Sequence, residues 1–343
     1  MRGRARHGFV LIAALWLLVA LGAVGLDAAL RSRTRRLAAA NLLDEARARA
    51  AAIAGTEYAR SRLTSAMLGR AEELRSEAVS RARNSQTRRR ALQSNVRTLF
   101  RNADPAEDPW RAPDELVTPE MAFGDARYTL RVRDTGAALN LNGADPDVLR
   151  QFFAQGLRLD YAHADRLAQA ILDWRDEDEL ARLGGGEREE YLRAGAPMLP
   201  PNRDFVELDE LRYVMGMTPD LYDLALPYLT LIGSGDVNIN AAPEPVLLAL
   251  PGMTPGAAAE LVRMREAGQF PRSTNELVRL MPGLANPNDS QAASQFLRMT
   301  TFTTNEVEIL ADGRVEGSPM HVQARVVVAR SNAGAVVVWQ LID

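Results

Sequence analysis

Hydrophobic patterning divides the chain into three regimes. Residues 9–26, FVLIAALWLLVALGAVGL, are apolar without interruption. As a helix this run spans about 27 Å, the thickness of a hydrocarbon core. From residue 28 to about 75, apolar positions such as Leu37, Leu42, Ile53 and Leu63 sit among charges and many Ala, and no Pro occurs before Pro105. This pattern predicts one long helix from Phe9 to about residue 75, with a membrane half first and an amphipathic half second. SRARNSQTRRR (80–90) and ADPAEDPWRAPDE (103–115) read as mobile, solvated connections. Strand-like alternation follows in DARYTLRVR (125–133), where Tyr128, Leu130 and Val132 share a face. Helical patterns fill roughly 145–295, among them ADRLAQAILDW (164–174) and ELDELRYVMG (207–216). Strand patterns return in TTFTTNEVEIL (300–310), HVQARVVVAR (321–330) and GAVVVWQLID (334–343), the last reading as a buried strand. The fold class is α+β, with a large helical insertion between strands.

One stretch occurs twice. LNLNGADPDVL at 139–149 returns as VNINAAPEPVL at 237–247. In an extended segment the Leu139–Leu141 pair faces one way and Asn140 and Asn142 the other. The Pro- and acid-bearing residues that follow suit a helix N-terminus. Asn side chains bond exposed backbone groups at such junctions, so both copies are expected to be strand-to-helix joints. The second copy runs on through LLALPGMTPGAAAELVRMREAGQF, which looks like a helix-hairpin-helix with its hairpin at Leu250–Gly256 and a helix from Ala257.

Such modules often bind DNA, and charge argues against that use here. Every one of the 41 basic residues is Arg. Residues 1–101 carry 20 Arg against 7 acids, and residues 102–343 carry 21 Arg against 37 acids. The two hairpin-bearing units lie in the acidic part: residues 236–280 hold 4 Arg and 5 acids, residues 139–180 hold 4 Arg and 9 acids. A phosphate-binding surface needs a cationic excess. A membrane-tethered DNA-binding protein of the competence type is therefore the alternative reading, and no nucleic-acid partner is expected. An enzyme is not expected either. His7, His163 and His321 are scattered, and no metalloprotease, nucleophile-elbow or phosphate-loop motif is present. With no Cys, disulfides and thiolate metal sites are excluded.

The candidate chemistry lies in DWRDEDELARLGGGE, residues 173–187. With Asp176 as first position, Asp178 is third and Glu187 twelfth, an EF-hand-like spacing. Leu180 and Ala181 break the EF-hand pattern. Clustered carboxylates repel unless solvated or neutralised, and a hard cation with oxygen ligands would neutralise them.

The N-terminus supplies a resemblance. MRGRARHG is short, basic and ends in Gly8, and Phe9 opens the apolar helix. This resembles a type IV prepilin leader, which implies cleavage between Gly8 and Phe9 by a prepilin peptidase and methylation of Phe9. Pilins carry Glu at the fifth mature position; here it is Ala13. Together with LNLN…VL, ILDWRDEDEL, FVELDELRYVMGMTPDLYDLALPYLT and VNINAAPEPVL, this order of motifs resembles the type II secretion minor pseudopilin K family. The resemblance implies a pilin-like long helix and antiparallel sheet, minor pseudopilins I and J as partners in a tip complex on the major pseudopilin filament, and a bacterial inner-membrane anchor with the bulk of the chain periplasmic. It also implies calcium in the inserted domain, and the acidic stretch 173–187 makes Asp173, Asp176, Asp178 and Glu187 the expected ligands. The expected divisions are a leader (1–8), a transmembrane helix (9–26), its amphipathic continuation (27–75), an irregular linker (76–118), pilin-like strands (119–142), the helical insertion (143–295) and C-terminal strands (296–343).

Overall fold

An alanine-rich sequence without proline lets the first helix run unbroken. In the computed structural model, which describes residues 5–285 and 291–343, α1 spans Ala5–Ser80, 76 residues or about 114 Å. The first four leader residues lie outside the described residues. Leu15, Trp16, Leu17, Leu18, Leu21 and Leu26 are bare, and among the described residues α1 alone is long and apolar enough to cross a membrane. From Ala48 one face turns inward: Ala48, Ala51, Ala52, Ala59, Leu63, Met67 and Ala71 are buried at helical spacing. The seam consists mainly of small residues, whereas Leu37, Leu42 and Ile53 face outward.

Segment 76–118, expected as a solvated linker, divides: residues 80–90 are exposed apart from Ala82, whereas the stretch from Ala91 to Pro113 sends side chains into the core. Helices α2 (Ser85–Gln93) and α3 (Val96–Asn102) are each capped by an Asn side chain, Asn84 and Asn95. The Arg-rich α2 is exposed, but Val96, Leu99, Phe100 and Trp110 enter the core. Trp110 Nε1 donates to the Leu63 carbonyl at 3.0 Å. Asp108 accepts two hydrogen bonds of 2.9 Å from Arg330 Nη2, and both residues are buried. The Arg330 guanidinium also lies 4.0 Å from the Phe100 ring centre and 4.8 Å from that of Trp110. These long-range partners convert a polar-looking stretch into core.

Strands β1 (Glu120–Phe123) and β2 (Ala126–Asp134) form a hairpin, with Tyr128, Leu130 and Val132 facing α1. The helical lobe then begins, and it consists of two similarly built units. The first opens on β3 (Leu139–Asn140), runs through α4 (Pro146–Gln151), α5 (Tyr161–Arg175), α6 (Arg188–Ala194) and α7 (Pro219–Ala225), and closes on β4 (Leu229–Thr230), parallel to β3. The second opens on β5 (Val237–Asn238), runs through α8 (Glu244–Leu247), α9 (Pro255–Glu266), α10 (Thr274–Leu277) and α11 (Gln291–Met299), and closes on β6 (Thr300–Thr301), parallel to β5.

The twin Asn stretches are the joints of these units. Asn140 Oδ1 accepts the Asn142 N–H at 3.0 Å, as Asn238 Oδ1 accepts that of Asn240 at 3.0 Å. Asn142 Nδ2 donates to the Phe205 carbonyl at 3.0 Å and Asn240 Nδ2 to the Pro271 carbonyl at 2.8 Å. Arg175 donates to the carbonyls of Leu141 and Ala144, and Arg265 to those of Ile239 and Ala242. Leu139, Leu141, Val237 and Ile239 point into the lobe core. In the second unit, Leu250 and Met253 of the turn between α8 and α9 are buried, and Thr254 Oγ1 caps α9 by accepting the Ala257 N–H at 3.2 Å.

The chain returns through β7 (Glu306–Val315), β8 (His321–Ser331) and β9 (Gly334–Ile342), giving an antiparallel sheet of order β1-β2-β7-β8-β9. Gly313 of β7 lies against the helix, where a Cβ would overlap the Ala48 carbonyl oxygen. At the opposite end of the sheet, the Ala335 N–H donates to Thr64 Oγ1 at 3.0 Å. β2 and β7 pair from Ala126↔Val315 to Asp134↔Val307, so the lobe leaves and rejoins the sheet at the end farther from the bare helix. There Asp134, buried, accepts from Asn238 Nδ2 and Thr304 Oγ1, both at 2.7 Å.

The last strand departs from its expected burial. β9 is an edge strand, and Val336, Val337, Val338, Trp339 and Leu341 are exposed. Hydrophobicity marks it as strand but does not supply a layer to cover it.

Removing one partner of the buried Asp108–Arg330 pair strands a charge. Asp108→Ala is expected to destabilise the chain by about 3–5 kcal/mol, read as a lower melting temperature of the purified full chain. Arg330→Met on top of it is expected to restore much of the loss.

Candidate metal centre

The acidic loop of the first unit is built on the C-terminal turn of α5. Ala164, Leu167, Ala168, Ile171 and Trp174 bury one side of that helix. Trp174 stacks on Phe205 at 6.1 Å between ring centres and meets Tyr191 of α6 at 5.8 Å. These rings fix the start and end of the loop, residues 176–187, against the lobe core. Asp173, on the last turn of α5, is fully buried. Its Oδ2 accepts the N–H of Arg182 at 3.1 Å and of Gly186 at 2.8 Å, folding the loop back over the helix end. Only glycine fits at 185, since a Cβ there would overlap Asp173 Oδ2. The glycine run thus packs on a carboxylate.

Three of the four expected ligands converge. One carboxylate oxygen each from Asp173, Asp176 and Glu187 lies within 4.8 Å of the others. Glu187 stands at the N-cap of α6 and is 3% exposed. Asp178 does not join the group. It is exposed, and its Oδ1 accepts the Leu180 N–H at 2.8 Å. Gly8 and Phe9 lie in α1; their side chains fall outside the described residues.

The cluster is short of donors. Asp173 Oδ1, Asp176 Oδ1 and both Glu187 carboxylate oxygens are buried and accept no hydrogen bond. Arg182 supplies the neighbouring positive charge, with Nε 3.2 Å from Asp173 Oδ1 and Nη2 3.0 Å from Asp176 Oδ2. The first of these is an ion-pair distance without the alignment of a hydrogen bond, which is why Oδ1 stays unpartnered. Burial, reinforced by the charges of Asp173, Asp176, Glu179 and Asp178, pushes the Glu187 carboxyl up to about 7. Burial also raises Asp173, against the lowering effect of the Arg182 and Gly186 N–H groups. Three carboxylates beside one guanidinium leave negative charge in a buried place. Orphaned oxygens with no nitrogen or sulfur donor among them suit a hard divalent cation. The acid spacing points to this loop. Asp173, just outside the EF-hand-like count, and Arg182 gain their roles from the loop's return path, which spacing does not encode.

Comparison with known proteins agrees with this architecture. The family model described as type II secretion system (T2SS), protein K matches in two parts, residues 136–234 and 237–297, dividing where the two lobe units divide. The type II secretion system protein K of Pseudomonas aeruginosa is 27% identical over 184 residues, 51% of this chain and 54% of that protein. The putative type II secretion system protein K of Escherichia coli K12 is 28% identical over 143 residues, 38% of this chain and 42% of that protein. The matches thus span about half or less of these relatives' length. In fold, the chain resembles one chain of the crystal structure of the GspK-GspI-GspJ complex from the enterotoxigenic Escherichia coli type 2 secretion system. The TM-score is 0.52 at 18% identity, covering 81% of this chain and 95% of that one. The chain belongs to the type II secretion system protein K family.

Proposed function

We propose that this chain is a non-enzymatic minor pseudopilin that initiates and caps the tip of a type II secretion pseudopilus, supporting protein export from the periplasm across the outer membrane. The observation that carries this reading is the placement of the lobe. It joins the sheet at the end remote from the bare stretch of α1, so in a bundle of parallel helices it occupies the space a further subunit would need. The outward Leu37, Leu42 and Ile53 give α1 exposed apolar contacts for neighbouring helices beyond the membrane segment. Minor pseudopilins I and J are the proposed partners, by analogy with the complex named for the structural neighbour, and the major pseudopilin filament follows beneath.

In this reading prepilin peptidase cuts between Gly8 and Phe9, the new N-terminus is methylated, and α1 stays in the inner membrane with the remainder periplasmic. Ala13 fits a terminal subunit. A carboxylate in lipid needs a partner, and the last subunit of a filament lacks the neighbour that would supply one. Calcium is the proposed cation of Asp173, Asp176 and Glu187, with Asp178 at the loop surface. Its chemistry there is structural: it neutralises the carboxylates and ties α5, the loop and the start of α6 together.

The proposed tip assembly predicts that the detergent-solubilised full chain co-purifies with minor pseudopilins I and J as a stoichiometric complex; absence of that complex at micromolar concentrations refutes it. Mass spectrometry of protein from membranes is expected to find N-methylated Phe9 at the start, and a start at Met1 or Ala28 would remove the processing step. For the metal, calcium at a hundred times its Kd stabilises by about 2.7 kcal/mol, seen as a higher melting temperature than in chelator. The pH dependence has a definite sign. Glu187 is raised from 4.5 to about 7 in the folded state, so the stability of the metal-free chain falls as pH rises between these values. Calcium needs the ionised form, and its stabilising effect is therefore expected to be larger at pH 8 than at pH 5.5.

A further inference from the structure

We infer that Arg182 is a resident counter-cation of the acidic centre, and that a metal enters only when its guanidinium leaves. The inference rests on the calcium reading above and adds the regulation of that site. Asp173 Oδ2 is committed to two backbone N–H groups. The oxygen of Asp173 left for a metal is Oδ1, and that is the atom Arg182 Nε approaches at 3.2 Å. Arg182 Nη2 meanwhile holds Asp176 Oδ2 at 3.0 Å. A guanidinium laid across two of the three carboxylates and a divalent ion among all three compete for one place. Their like charges also repel.

The local build permits the exchange. Arg182 is anchored through its backbone N–H on Asp173, so the loop keeps its path when the side chain swings away. That side chain is 42% exposed and can reach water without unfolding its surroundings. The neighbouring Glu177, Asp178 and Glu179 are exposed and offer the displaced charge a solvated acidic surface. Glu187 receives no hydrogen bond in the Arg-closed arrangement, and both its oxygens are unpartnered. The guanidinium is therefore an incomplete substitute, and a metal that reaches Glu187 has the advantage. The apparent calcium affinity is the intrinsic affinity reduced by the fraction of molecules in which Arg182 is open.

The test is calcium titration by calorimetry on the full chain in detergent, purified in calcium and stripped by a competing chelator. Arg182→Gln is expected to bind calcium about fivefold to tenfold more tightly than the unsubstituted chain, the size of a half-exposed charge-assisted pair. It should also melt lower without calcium and show the larger calcium-induced rise. Arg182→Lys, which keeps a charge but cannot span both carboxylates, should fall between. Arg193→Gln removes the same charge from the exposed face of α6, where Arg193 pairs with Glu189 and Glu190, and should change affinity less than twofold. Equal or weaker binding by Arg182→Gln, or equal tightening by Arg193→Gln, overturns the role of Arg182 and leaves the calcium reading intact. No calcium binding by the unsubstituted chain overturns the calcium reading itself.

Discussion

The architecture depends on how closely α1 lies against the sheet. At Gly313 the strand backbone touches the helix so tightly that no side chain fits between it and the Ala48 carbonyl. At Gly55 a Cβ would come within 2.8 Å of the Tyr128 ring. Small residues make this approach possible, and alanine does so without weakening the helix. The buried seat begins at Ala48, and residues 13–43 N-terminal to it are exposed. The strands seated on it run from the level of Arg47, which pairs with Asp125 at 3.1 Å, to the level of Thr64. An insertion between β2 and β7 therefore has to project beyond the far end of the sheet. The shape of the molecule, a bare rod below and a bulky lobe above, follows from one small-residue contact.

This contact was hard to read from the sequence because alanine contributes little to an apolar stripe. Leu37, Leu42 and Ile53 dominate the hydrophobic pattern of residues 28–75, yet they face outward while the alanines are buried. The helix itself was legible from its length, its composition and the absence of proline. The inward face of β2 was legible from alternation. Within segment 76–118 the Arg-rich part is exposed as expected, and the part from Ala91 to Pro113 departs for a different reason. The segment's Arg run and prolines resemble a linker, while its core residues, Phe100 and Trp110, find their partners in Leu63 and Arg330, far away in sequence. β9 shows the converse failure. Its valines announce a strand, but whether a second layer covers them is a property of the whole sheet.

The repeated stretch was legible as a joint because its chemistry is local. An Asn two residues before another can satisfy the turn's backbone whatever the rest of the fold does. What the sequence withheld was the closure of each unit. The strand residue beside the first Asn of each joint pairs with a threonine-bearing segment at the far end of its unit, Leu139 and Asn140 with Leu229 and Thr230, Val237 and Asn238 with Thr300 and Thr301. Each unit is thereby tied into a loop by its own ends. The second unit also touches the sheet through Asn238 and Asp134.

Comparing the units explains why the acidic centre belongs to one of them. In both, an arginine near the end of the long helix, Arg175 or Arg265, holds the joint carbonyls, and a later residue, Phe205 or Pro271, receives the second Asn. Residues 266–270 suffice for that connection in the second unit, whereas residues 176–204 make it in the first. The acidic loop and α6 are therefore an elaboration of a module that closes without them. An elaboration of this kind has little apolar surface of its own: Leu180 and Leu183 are exposed, and Tyr191 is its main entry into the core. With few apolar contacts to order so long a connection, its folding falls to Asp173, which gathers two loop N–H groups. The negative charge gathered there is met by Arg182, and the proposed metal would meet it more fully at Glu187, whose oxygens have no partner.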